Sequence, residues 1–301
     1  MRDAKQAARA YLDRIMIEQR LIGAQTADTS FELWGETFST PVMTPAFSHL
    51  DIYGEGRRNG LVEYALAMKE LNAVNWIGMC ENEVFQNVVD TGARTIRIVK
   101  PYEDRGKTED RLLFAANAGA LAVGMDIDHI FGSTGGYDVV RGENMTFQTA
   151  EQISRLVSLT DLPFVVKGVL SVQDALLCKD AGVKGIVVSH HSGRLPYAVP
   201  PLMVLPDICE ALKGSGIRVF VDCSIETGAD VYKALALGAD AASIGRSMLP
   251  DLKEKGTEGV KAYIRKVTQE LAFIMGFTGA KSPDRITGDV LWDECTGKKL
   301  L

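Results

Sequence analysis

Four stretches of this 301-residue chain repeat one rhythm: a helical run, one turn residue, then a short strand of small and β-branched apolar residues. They are residues 65–79 (ALAMKELNAVNWIGM), 112–126 (LLFAANAGALAVGMD), 175–189 (ALLCKDAGVKGIVVS) and 231–245 (VYKALALGADAASIG). Asn72, Gly119, Gly182 and Gly238 stand at equivalent places. Each suits the left-handed position that closes a helix, which glycine adopts freely and asparagine tolerates. The strands lack polar alternation, as expected when both faces are covered. Four further candidates lie between them: 41–47 (PVMTPAF), 94–100 (RTIRIVK), 163–168 (PFVVKG) and 217–223 (IRVFVDC). Eight strands alternating with helices predict parallel βα units that close into a TIM (β/α)8 barrel. A doubly wound open sheet is the alternative, but no G-x-G-x-x-G follows the first strand.

The flanks read as an amphipathic helix over 3–22, a hairpin over 29–38 turning near Gly35, and a long closing helix over 257–277. No linker-like tract divides the chain, so one domain is expected: helix and hairpin at 1–40, barrel at 41–280, tail at 281–301. The Gly-rich loop 131–144 (FGSTGGYDVVRGEN) falls after the fourth strand, over the catalytic mouth of such a barrel. A net charge of −6 excludes a phosphate-neutralising nucleic-acid binder. The five cysteines, Cys80, Cys178, Cys209, Cys223 and Cys295, form no C-x-x-C pair and fit a reducing cytosol. No signal-like or membrane-spanning run is present. The expectation is a soluble cytoplasmic protein acting on a small molecule.

Ionisable residues end strands four to eight: Asp126, Lys167, His190 with His191, Asp222, and Arg246 after Gly245. Any one alone is as readily the start of a solvated loop. Together they converge on one mouth. Lys167, flanked by apolar residues, must meet an anion, either a ligand or Asp126 of the neighbouring strand. Gly245 and Arg246 suit a phosphate after the eighth strand, with residues 222–228 as the partner loop. His190 and His191 should diverge, one facing the mouth. Asp126, Asp128, His129 and Asp222 could join a histidine on a metal, but no recognised metal-ligand spacing occurs, and no metal is expected. Arg194, three residues after His191, suits a substrate with a carboxylate beside its reacting carbon, with Asp126 steadying the imidazole.

At these residues the chain resembles the FMN-dependent 2-hydroxy acid oxidases and dehydrogenases. Their S-N-H-G-x-R strand end reads SHHSGR at 189–194, which puts His191 at the catalytic histidine and Arg194 at the carboxylate-binding arginine. Residues 165–175 (VVKGVLSVQDA) resemble the lysine strand, so Lys167 would lie by flavin N1 and O2. Residues 222–246 are similar to the D-G-G-V-R-x-G segment ending in G-R. The resemblance thus implies FMN as cofactor, with Pro45, Ala46, Lys167, Ser189, Asp222, Ser224, Gly245 and Arg246 around it. It makes Asp126 the residue that orients His191, and it implies a homo-oligomer, tetramer or larger.

The departures cluster at the site. His190 replaces the family's asparagine, Ser192 a glycine, Cys223 and Ser224 a glycine pair, and Glu226 an arginine. On strand three the flavin-contacting glutamine becomes Arg97 or Ile98, and on strand two the contact reads NWIGM. The expected reaction is oxidation of a 2-hydroxy acid to a 2-oxo acid. Three alternatives stand beside it: a Schiff-base aldolase or lyase using Lys167, a metal-dependent hydrolase using Asp126, His129, His191 and Asp222, and a flavin binder with altered or lost activity.

Overall fold

The computed structural model describes residues 3–50 and 58–301. All eight expected strands form: Val42–Met43, Asn75–Ile77, Thr95–Val99, Ala122–Asp126, Phe164–Val169, Gly185–Val188, Arg218–Val221 and Ala241–Ser243. They make one parallel sheet in which the first strand pairs the eighth, and neighbours then descend to the second. Side-chain and loop bonds close the remaining seam. Trp76 N donates to Thr44 Oγ1 at 2.8 Å, and Gly78 N donates to the Phe47 carbonyl at 2.7 Å. A Cβ at Gly78 would sit 2.6 Å from the Ala46 carbonyl, so only glycine lets these two loops approach. The helix-closing residues take the left-handed backbone their spacing predicted, with φ of 47° at Asn72 and 93°, 85° and 109° at Gly119, Gly182 and Gly238.

Large apolar side chains fill the barrel, among them Met43, Trp76, Ile98, Val165, Val187 and Phe220. The hairpin Phe31–Leu33 and Glu36–Phe38 plugs one end. Its two-residue turn puts Trp34 at φ 48° and Gly35 at φ 85°, as a twist-matched hairpin requires. Leu33 and Phe38 join the interior, and Trp34 meets Phe220 edge-on at 6.0 Å. The strand C-termini open at the other end.

The N-terminal helix is shorter than its periodicity predicts. It spans Ala4–Asp13, and Ile15–Ile17 forms a strand antiparallel to Leu291–Asp293. Ile15 is buried and Met16 exposed, a strand alternation that the helical spacing of the apolar residues masked. Arg14 is ion-paired with Asp293, so the 281–301 segment is folded against the N-terminus rather than trailing as a tail. The closing helix runs Thr257–Thr278 and stops at Gly279, φ 75°. The loop over the mouth folds on itself through Val139–Val140 paired with Glu143–Asn144 and a Phe131–Tyr137 bridge. Among the described residues no helix is long and apolar enough to cross a membrane.

Two mouth loops hold left-handed residues that are not glycine: His191 (φ 47°) and Ser192 (59°), then Cys223 (74°) and Ser224 (63°). Such positions cost about 1–3 kcal/mol each and persist only where the surroundings over-determine them. Here the buried Cys223 thiol ties the loops, accepting from Ser192 N at 3.5 Å and donating to Asp222 Oδ1 at 2.9 Å. The Ser192 hydroxyl makes no bond to a described residue. Ser192→Gly is therefore expected to stabilise the fold by about 1 kcal/mol, read as a raised denaturation midpoint.

Candidate active site

A cavity of about 790 Å³ opens at the strand C-termini. Its walls are the loop from Pro45 to Leu50, Met79, Lys100, His129, Lys167, His190 to Ser192, Asp222 to Glu226, and Ser243 with Gly245 to Ser247. The N-terminal helix adds Lys5, Gln6 and Arg9.

Charge concentrates where strands three to seven end. Lys167 is buried, with its ammonium 3.5 Å from Asp222, 3.7 Å from Asp128 and 3.3 Å from the Ser189 hydroxyl. The Lys167–Asp126 pair that strand adjacency suggested is replaced by a tighter one, because Lys100 from strand three reaches Asp126 at 2.7 Å. Burial works against both charges on Lys167 and Asp126. The surrounding counter-charges win, holding the Lys167 pKa above its usual value and that of Asp126 well below. Asp128 is pushed the other way, by burial and by Asp126 beside it.

His191 Nδ1 lies 2.7 Å from Asp128 Oδ1 and 3.3 Å from Asp126 Oδ2. The nearer carboxylate is thus Asp128, and Asp126 stands behind it. Burial and Lys167 press the imidazole pKa down, but the two carboxylates outweigh them and raise it. His191 Nε2 faces His129 Nε2 at 3.3 Å, with the rings edge to face at 4.5 Å. His129 is lowered to about 4, chiefly by burial, and its Nδ1 bonds Asp138 at 2.8 Å. A neutral His129 with Nδ1–H on Asp138 presents Nε2 as an acceptor. The contact between the two rings is then satisfied when His191 carries both protons.

Asp126, Asp128, His129 and His191 offer ligand atoms within 4.8 Å of one another, a grouping of the kind that binds metals. Lys100 and Lys167 already stand on its carboxylates and oppose a dication there.

Of the residues singled out from sequence, Pro45, Ala46, Lys167, His191, Asp222, Ser224, Gly245 and Arg246 line the cavity. Ser189 lies beneath it, against Lys167. Asp126 is buried behind His191. Arg194 does not line it: its guanidinium donates to Asp138 Oδ2 and the Phe131 carbonyl, both at 2.6 Å. Both histidines face the cavity, since the left-handed turn at His191, not strand pleating, sets their directions. Arg97 lies outside, bonded to Asn82 and the Cys80 carbonyl, and Ile98 packs in the barrel interior. Sequence reading gave no role to Lys100, Asp138 or the N-terminal helix. Lys100 closes the third strand as Asp126 closes the fourth, and that parallel was the available signal.

The cavity fits a long, phosphate-bearing cofactor. Lys167 supplies charge at one end. At the other, a Cβ on Gly245 would meet only Phe47 and Pro45, at 3.8 Å, so the glycine leaves an open cradle. Both His190 ring nitrogens are buried without a hydrogen-bond partner, polar atoms that a ligand would satisfy.

The sequence model of the FMN-dependent dehydrogenases matches residues 2–150 and 138–293. A peroxisomal (S)-2-hydroxyacid oxidase of Arabidopsis thaliana is 29% identical over 91% of this chain and 84% of its own length. The 4-hydroxymandelate oxidase of Amycolatopsis orientalis reaches 43% over 44% of this chain and 38% of its own. A solved mandelate oxidase with 3,3-difluoro-2-hydroxy-3-phenylpropionic acid superposes with a TM-score of 0.84 at 27% identity, covering 94% of this chain and 88% of that one. The chain belongs to the FMN-dependent dehydrogenase family.

Proposed function

We propose that the protein is an FMN-dependent oxidoreductase that converts 2-hydroxy acids to 2-oxo acids. One observation carries this reading: an imidazole held by two carboxylates beside a buried ammonium, inside a cavity whose wall includes the open backbone at Gly245. The relatives support it, being named for hydroxy acids. FMN, when bound, supplies the two-electron acceptor; Lys167, Ser189, Asp222, Gly245 and Arg246 would hold it, with Pro45, Ala46 and Ser224 along its length.

His191 takes one of the two protons released as the alcohol carbon becomes a carbonyl. Nδ1 faces Asp128 at 2.7 Å, so Nε2, which lies 3.3 Å from His129 Nε2, is the nitrogen that accepts the proton. Asp126 and Asp128 stabilise the resulting imidazolium. Lys167 offers a permanent positive charge to negative charge that accumulates in the cavity. Arg194 is the cation for the substrate carboxylate, which must replace Asp138 on the guanidinium. The same ammonium argues against the aldolase reading, since three carboxylates keep Lys167 protonated and a Schiff base needs the free amine. The five free cysteines support a reducing cytosol as its compartment, and a homo-oligomer belongs to the same reading.

His191→Ala is expected to keep FMN bound while slowing its anaerobic reduction by lactate, glycolate or mandelate about 100-fold or more. Rapid reduction in that variant would remove His191 from the mechanism, and no reduction in the unaltered protein would favour a binder without activity.

The pH dependence follows from the sign of the His191 shift. Only neutral imidazole accepts a proton, so kcat/KM should rise with pH through a midpoint above 6.5. Asp128→Asn removes a carboxylate that favours the imidazolium and should move that midpoint to lower pH; an upward move contradicts the assignment.

Asp138→Asn frees Arg194 from its internal carboxylate. The apparent KM for the hydroxy acid should fall by about threefold to tenfold, as a steady-state titration would reveal.

A further inference from the structure

We propose that Lys5, on the N-terminal helix, binds the cofactor phosphate, sharing with Arg246 a seat that the barrel strands alone leave incomplete. The proposal rests on the FMN reading above.

Among the described residues five cations line the cavity: Lys5, Arg9, Lys100, Lys167 and Arg246. Three are matched by carboxylates, Lys100 by Asp126, Lys167 by Asp222 and Arg9 by Asp230. Lys5 and Arg246 have side chains with no hydrogen bond or ion pair to any described residue. The two belong to one end of the cavity. Val221 pairs Ala242 across the last two strands, which sets the 222–226 loop beside Gly245 and Arg246. The Ser224 hydroxyl lies 3.5 Å from the Lys5 carbonyl, which sets the helix start against that same loop.

The helix is fastened there by groups that leave Lys5 free. Arg9 grips the Asp230 carboxylate through two bonds, at 2.8 and 2.9 Å, and donates to the Ser224 carbonyl at 3.0 Å. Asp230 also accepts from Glu226 N and Thr227 N, both at 3.0 Å. Lys5 lies four residues before Arg9, on the same helix face. It stands in the first turn, where the helix dipole disfavours a cation, so helix stability does not explain it.

The wall also carries negative charge. Glu226 lines it, and so does Asp3, whose carboxylate accepts from Lys5 N at 2.9 Å. Against those two, Arg246 alone leaves this end negative, a poor seat for a phosphate. Among the described residues the charges balance with Lys5, and the Ser247 hydroxyl is a further polar group two residues after the Gly245 cradle. An ammonium and a guanidinium flanking an open backbone cradle suit a phosphate dianion rather than the flavin ring.

The discriminating ligand pair is FMN and riboflavin, which differ only by the phosphate. Flavin-stripped full-length protein is titrated with each, following flavin fluorescence at low ionic strength. Lys5→Met is expected to weaken FMN about tenfold and leave riboflavin within about twofold, and Lys5→Arg should restore FMN. The FMN loss should shrink as salt is raised. Equal weakening of both flavins, unchanged FMN binding, or a Lys5→Arg variant as weak as Lys5→Met overturns the proposal. An unaltered protein that binds riboflavin as tightly as FMN overturns the phosphate seat but not the flavin. One that binds neither overturns the FMN reading and this inference with it.

Discussion

The catalytic end depends on how five buried charges balance. Lys100 and Lys167 face Asp126, Asp128 and Asp222, two ammonium groups against three carboxylates. The cluster is one positive charge short, and His191 is the neighbour able to take a proton. That shortage is why its basicity rises although burial and Lys167 both oppose it. Removing either lysine would leave a buried carboxylate uncompensated, so the charges that tune the imidazole also hold the strand ends together.

The rest of the architecture serves that cluster by closing everything else. The hairpin seals the bottom with Leu33, Phe38 and Trp34, so ligand access is left to the face where the charges stand. The mouth loops hold left-handed backbone on residues that disfavour it. Ser192, Cys223 and Ser224 stand where the resembled family has glycines, and each takes a left-handed conformation here. The Cys223 thiol, raised to about 12 mainly by burial, is no nucleophile; it serves as a hydrogen-bonding bolt between loops.

Much of this was legible in the chain. The four helix–turn–strand repeats placed the strands, and Asn72, Gly119, Gly182 and Gly238 marked the helix ends because left-handed backbone has few tolerant residues. SHHSGR and the lysine strand located the chemistry. Other features were not legible. The helix pattern over 3–22 concealed the strand Ile15–Ile17, whose partner lies nearly the whole chain away at Leu291–Asp293. The nearer partner of His191 proved to be Asp128, a loop residue whose approach depends on the turn after strand four. Arg194 has the spacing of a substrate clamp, but Asp138 of a distant loop decides where its guanidinium rests.

The sequence by itself determined the barrel, its eight strands and the residue types gathered at their ends, because periodicity and turn chemistry act over a few neighbouring residues. Only the tertiary structure decided which charges meet. Lys100 takes Asp126, Asp128 takes His191, Asp138 takes Arg194, and the N-terminal helix brings Lys5 to the cavity wall. Each of these pairings joins separate strands, loops or helices, and electrostatic energy depends on distance and burial that no local pattern encodes.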